Sequence, residues 1–112
     1  MNSQKFDEIL KRRLKLIEKI LSSKRKEYAS GDDRLHNFKI AARIDNESPE
    51  KSLWGMAKKH LVCIIDMIRE IENNSFNRDT AYIDEKLGDM QNYLVLLEAL
   101  LKERISNKNL AK

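Results

Sequence analysis

The sequence predicts an all-α fold, a small helical bundle of three long helices and one short helix. Three observations carry this. Apolar residues recur at spacings of three and four along most of the chain, the signature of one buried helix stripe. No segment shows a strand pattern. Three Gly and one Pro in 112 residues leave few turns.

The first helix spans about Lys5–Lys24. Phe6, Ile9, Leu10, Leu14, Ile17, Ile20 and Leu21 form its stripe, with Lys, Arg and Glu opposite. A polar segment, 25–47, follows. Gly31-Asp32-Asp33 reads as a turn and helix start with Asp32 or Asp33 as N-cap, opening a short helix from Arg34 to Arg43. Ser48-Pro49-Glu50 starts the next helix: Ser as N-cap, Pro at the first helical position, an acid in the first turn. That helix runs to about Asn73 and is apolar nearly all round, which predicts the central position in the bundle. The last runs from about Thr80 to Ile105, and residues 106–112 are expected to fray. The whole is one domain, with a two-helix core at 48–105.

Composition bounds the function. The charge of +4, from 22 basic and 18 acidic residues, is a mild excess that suits an anionic small molecule as well as a polynucleotide. The single Cys63 permits no internal disulfide and no zinc quartet, and points to a reducing cytoplasm. The N-terminus lacks the apolar core of a signal peptide, and no run is long enough to span a bilayer. The stripes on the first and last helices exceed what three helices of one small domain can hide. A dimer or higher homo-oligomer is expected, with sites near subunit boundaries.

Three polar groups stand where packing does not ask for them. SSKRKEYASGDDRLHNF (22–38) and its surroundings supply Lys24, Glu27, Tyr28, Arg34, Asn37 and Lys39. On the central helix Lys59, Cys63, Asp66 and Glu70 share one face, with His60 beside them; on the last helix Glu85, Asp89 and Asn92 share another. Each has a plainer reading, as a cap, an ion pair or a solvated face. Together they hold what a nucleotide needs: Lys24, Arg34, Lys39 and Lys59 for phosphate, and Tyr28, Asn37, His60 and Asn92 for base and sugar. Carboxylates hold ribose hydroxyls, or Mg²⁺ where several converge.

EKLGDMQNYLVLL (85–97) resembles the second acidic helix of the all-α NTP pyrophosphohydrolases, the MazG and dUTPase-like group, in which Glu-x-x-x-Asp helps to hold Mg²⁺. KRKEYASGDDRLHNF resembles the signature of small phage-encoded nucleotide modification associated proteins. The resemblance covers roughly residues 22–100. It implies Glu85 and Asp89 as metal ligands, with Tyr28 and Asn37 shaping a nucleotide site. The family's Glu-x-x-Glu on the earlier helix is replaced here by Asp66 and Glu70, spaced i, i+4. The chain also looks, in size, helicity and mild basicity, like small phage proteins that sequester nucleotide-derived immune signals. The expectation is a cytoplasmic, phage-type protein that binds a nucleotide or nucleotide-derived signal without turning it over. Two alternatives stand: a Mg²⁺-dependent pyrophosphohydrolase using Asp66, Glu70, Glu85 and Asp89, and a helical protein–protein interaction module without a ligand. Membrane and nucleic acid are not expected partners.

Overall fold

The computed structural model describes residues 1–23 and 33–110, with side chains to 108. Among them are four α-helices and no strand: α1 (Ser3–Ser23), α2 (His36–Asp45), α3 (Pro49–Glu72) and α4 (Thr80–Leu110). Among the described residues no helix is long and apolar enough to cross a membrane. The all-α bundle expected from the sequence is the one observed.

Local chemistry sets the helix ends. The Asn2 side chain accepts a hydrogen bond from the Lys5 amide at 2.9 Å and starts α1. Asp33 accepts from the Leu35 amide at 3.0 Å, which holds a turn ahead of α2 and delays the helix by two residues from its expected start. Asn46 ends α2 in the left-handed region, φ 54° and ψ 51°, a conformation Asn tolerates. Ser48 caps α3 as predicted, accepting from the Lys51 amide at 3.1 Å, with Pro49 in the first turn. Asp79 accepts from the Tyr82 amide at 2.9 Å and starts α4. The last helix continues to Leu110, five residues beyond its expected end.

α3 and α4 form the main pair and run antiparallel. Glu50 meets Arg104 at one end and Glu70 meets Arg78 at the other. α2 packs on α3, so that Leu35 and Phe38 join Leu53 and Leu100 in the principal core; Phe38 and Leu53 are fully buried. Among the described elements α1 packs on α4 alone, and none of its residues is buried. α3 and α4 share the centre of the bundle: α3, the helix opened by Pro49, touches α2 and α4, and α4 touches α3 and α1. α3 keeps Val62, Ile65 and Ile68 between 40% and 56% exposed.

Candidate functional site

A small cavity of about 120 Å³ opens where α1 reaches the α3/α4 pair. It is lined by Ile20 and Leu21 of α1, His60 of α3, and Asp89, Asn92, Tyr93 and Leu96 of α4. Helical spacing explains the α4 group: positions 89, 92, 93 and 96 lie three or four apart on one side. His60 comes from the opposite direction because α3 is antiparallel. Its ring stacks on Tyr93 at a centroid distance of 5.3 Å and an interplanar angle of 29°. Its Nδ1 lies 3.4 Å from Asp89 Oδ2, within ion-pair range but without hydrogen-bond geometry.

Asn92 is the unusual member. The residue is only 7% exposed, and among the described residues its Oδ1 has no hydrogen-bond partner. The buried His60 Nδ1 and Gln91 Oε1 share that condition. A buried acceptor left unpaired costs about 1–3 kcal/mol, so Asn92 Oδ1 on α4 and His60 Nδ1 on α3, both on the cavity wall, are not there for packing.

The cavity adjoins a second of about 290 Å³ between α1 and α4, which shares Ile20, Asp89 and Asn92 and adds Arg12, Arg13, Asp84, Glu85 and Gly88. Here α1 is clasped to α4. Arg12 donates to Asp84 Oδ2 from Nε at 3.2 Å and Nη2 at 2.9 Å, while Arg13 Nη1 donates to the Asp84 carbonyl at 3.2 Å. Gly88 makes room for this. A Cβ at that position would lie 2.6 Å from Arg13 Nη1.

The other expected residues are elsewhere. Lys24, Glu27 and Tyr28 lie outside the described residues. Arg34 donates from Nη2 to the Leu21 carbonyl at 2.9 Å and so caps the C-terminal end of α1, a use that competes with phosphate. Asn37 and Lys59 are exposed. Lys39 is held between Asp33 at 2.8 Å and Glu103 at 2.6 Å. Burial alone would lower its pKa, but the hydrogen bonds to Asp33 and Glu103 outweigh that and raise it. In return the Lys39 ammonium holds the Asp33 carboxyl below its usual range. Lys39 lines a separate open groove of about 790 Å³, with Arg43, Glu47, Glu50, Glu103, Arg104 and Lys108 among its walls. The residues expected to form one basic pocket are therefore divided: His60 and Asn92 meet, while Lys39 belongs to the distant groove.

The four expected metal ligands do not converge. Glu70 forms a forked pair with Arg78 at 2.7 Å, which lowers its pKa; Asp89 faces His60; Glu85 lies 3.5 Å from Lys86; Asp66 is exposed. Among the described residues no group of three or more His, Cys, Asp or Glu could hold a metal ion. The physical reason is local. Arg78, in the connection just ahead of α4, takes both oxygens of Glu70 and holds them away from the other carboxylates. Two participants escaped the sequence reading, Tyr93 and the Arg12/Arg13–Asp84 clasp. The i, i+4 spacing of Asp89 and Tyr93 was the available signal for the first. The clasp had none, since it depends on how α1 docks.

Comparison with protein families, with curated proteins and with solved structures finds no match for this chain.

Proposed function

We propose that this chain binds a nucleotide or nucleotide-derived molecule, without turning it over, in the cleft that α1 makes with the α3/α4 pair. The observation that carries this reading is the buried, unpartnered Oδ1 of Asn92 beside the His60 imidazole on a cavity wall. An N–H donor on a heterocycle satisfies that acceptor and recovers the desolvation cost. The smaller cavity admits little more than one ring. The adjoining 290 Å³ cleft, at the lower end of the range for ligand pockets, has room for a sugar, and a phosphate there would draw Arg12 or Arg13 away from Asp84. Nucleotides are favoured over other heterocycles by two resemblances, of residues 24–38 to small phage-encoded nucleotide modification associated proteins and of residues 85–97 to the all-α NTP pyrophosphohydrolases. Hydrolysis ranks lower because Asp66, Glu70, Glu85 and Asp89 do not converge on one point. The setting we infer is the cytoplasm, and the assembly a homo-oligomer.

The test is thermal unfolding and calorimetric titration against nucleoside mono- and triphosphates, cyclic dinucleotides and ADP-ribose derivatives, with and without Mg²⁺. A ligand at a hundred times its Kd stabilises by about 2.7 kcal/mol. Asn92→Leu abolishes that gain while leaving the unliganded protein at least as stable as the parent, because a buried unpaired amide is removed. Absence of any stabilising nucleotide refutes the reading.

A further inference from the structure

α4 has three occupied or occupiable sides. One meets α3 through Tyr93 and Leu100, and a second meets α1 through Asp84 and Gly88. The third carries Leu87, Leu94 and Leu101, spaced seven residues apart, with an apolar residue three or four positions from each. Leu94 is 48% and Leu101 47% exposed. α3 has a matching stripe in Trp54, Ile65 and Ile68, all exposed and apart from the buried Leu53–Ala57–Met67 side. At 100° per residue, each stripe is turned by about 110° from the line of contact between the two helices. The turn has the same sense on both, and the helices are antiparallel. Both stripes therefore emerge on one side of the pair, the side away from α1.

We propose that this double stripe is the self-association face, closed by a second copy of the chain across a two-fold axis to give a four-helix core of two α3 and two α4. The proposal deepens the homo-oligomer reading above. Two features single out a second copy as the occupant. A seven-residue apolar repeat is the pattern by which helices pair along a shared seam, and two such antiparallel pairs face to face complete a four-helix bundle. The area also suffices. α3 has 24 residues and α4 has 31, so the face is roughly 36 Å long and about 20 Å wide, on the order of 700 Å² per copy. Stable interfaces bury about 600–1,000 Å² per partner. The chain's shape agrees: its radius of gyration is 16.9 Å, against about 13 Å for a compact chain of this length. One chain is an open half of a bundle.

Light scattering on the full chain at about 50 µM should give twice 13.2 kDa. Ile65→Glu with Leu94→Glu should give a monomer with unchanged helical circular dichroism, while Leu14→Glu on the exposed side of α1 should remain a dimer. A wild-type monomer overturns both the face and the homo-oligomer reading. A dimer that survives Ile65→Glu with Leu94→Glu overturns the face alone. Should that variant fail to fold, the unmodified protein decides through Trp54, its only tryptophan. Trp54 emission must shift to the red on dilution through the dissociation range, and emission unchanged by assembly overturns the proposal.

Discussion

Asn92 and Glu50 show the two things a polar side chain can do in this molecule. Asn92 is buried without a partner, so it opposes stability and is retained, in our reading, for a ligand. Glu50 is matched: both of its oxygens accept from Arg104, at 2.8 Å each. The hydrogen bonds from Arg104 hold the Glu50 carboxyl below its usual range, as Lys39 does for Asp33. A carboxyl with a lower pKa folded than unfolded contributes stability above its unfolded value, and that contribution is lost as pH falls through the folded value. Thermal unfolding followed from pH 7 to pH 3 should show stability falling as the pH drops below about 4, the usual carboxylate range. Glu50→Gln should flatten that acid limb and leave the neutral-to-basic side nearly parallel to wild type. An acid limb of unchanged steepness in Glu50→Gln would remove this pair from the account. Much of this scale was legible in sequence. His60, Asn92 and Asp89 could be singled out as polar residues in apolar helices. Which cation each carboxylate would find could not, because Glu70–Arg78 and Glu50–Arg104 depend on chain reversal and on how α3 and α4 run together.

At the scale of elements, the helix starts follow from short-range chemistry, which is why Ser48-Pro49 could be read directly and the onset of α3 was placed correctly. The central place of α3 was readable from its apolar sequence, and it meets both α2 and α4; that α4, with apolar residues on three sides, would meet as many helices was not. α1 is the least secured element. Its docking rests on half-buried Leu16, Ile17 and Ile20 and on the Arg12/Arg13–Asp84 clasp. Partly exposed ion pairs contribute at most about 1 kcal/mol, so Asp84→Ala should change global stability by about that much or less. It should nonetheless speed tryptic cleavage within α1 several-fold, since the cost falls on one helix. Gly88→Leu should do the same by displacing Arg13, and Gly88→Ala far less, because the guanidinium end of Arg13 can shift. Equal cleavage rates in Asp84→Ala and wild type would show that the clasp does not hold α1.

For the molecule as a whole, the anisotropy is in the core as much as in the outline of 52 × 30 × 26 Å. Phe38 and Leu53, the two fully buried large side chains, lie at the end of the α3/α4 pair where α2 docks, with Leu35 and Leu100 around them. Toward the Asn73–Asp79 connection the pair has Met67 as its buried apolar residue, and the Glu70–Arg78 bridge is exposed at the surface. The two ends of one helical pair therefore differ in how tightly they hold their backbone amides. In the monomeric Ile65→Glu, Leu94→Glu protein, hydrogen exchange should be slowest near Leu53–Ala57 and Tyr93–Leu100. It should be at least tenfold faster over residues 65–72 and 80–86, which open without disturbing the Phe38 cluster. Uniform exchange along α3 would contradict this. The chain is thus a hairpin of helices fastened at its open end and loose at its turn, so that thermal opening starts where the chain reverses, while the helix ends far from the turn are the last to let go.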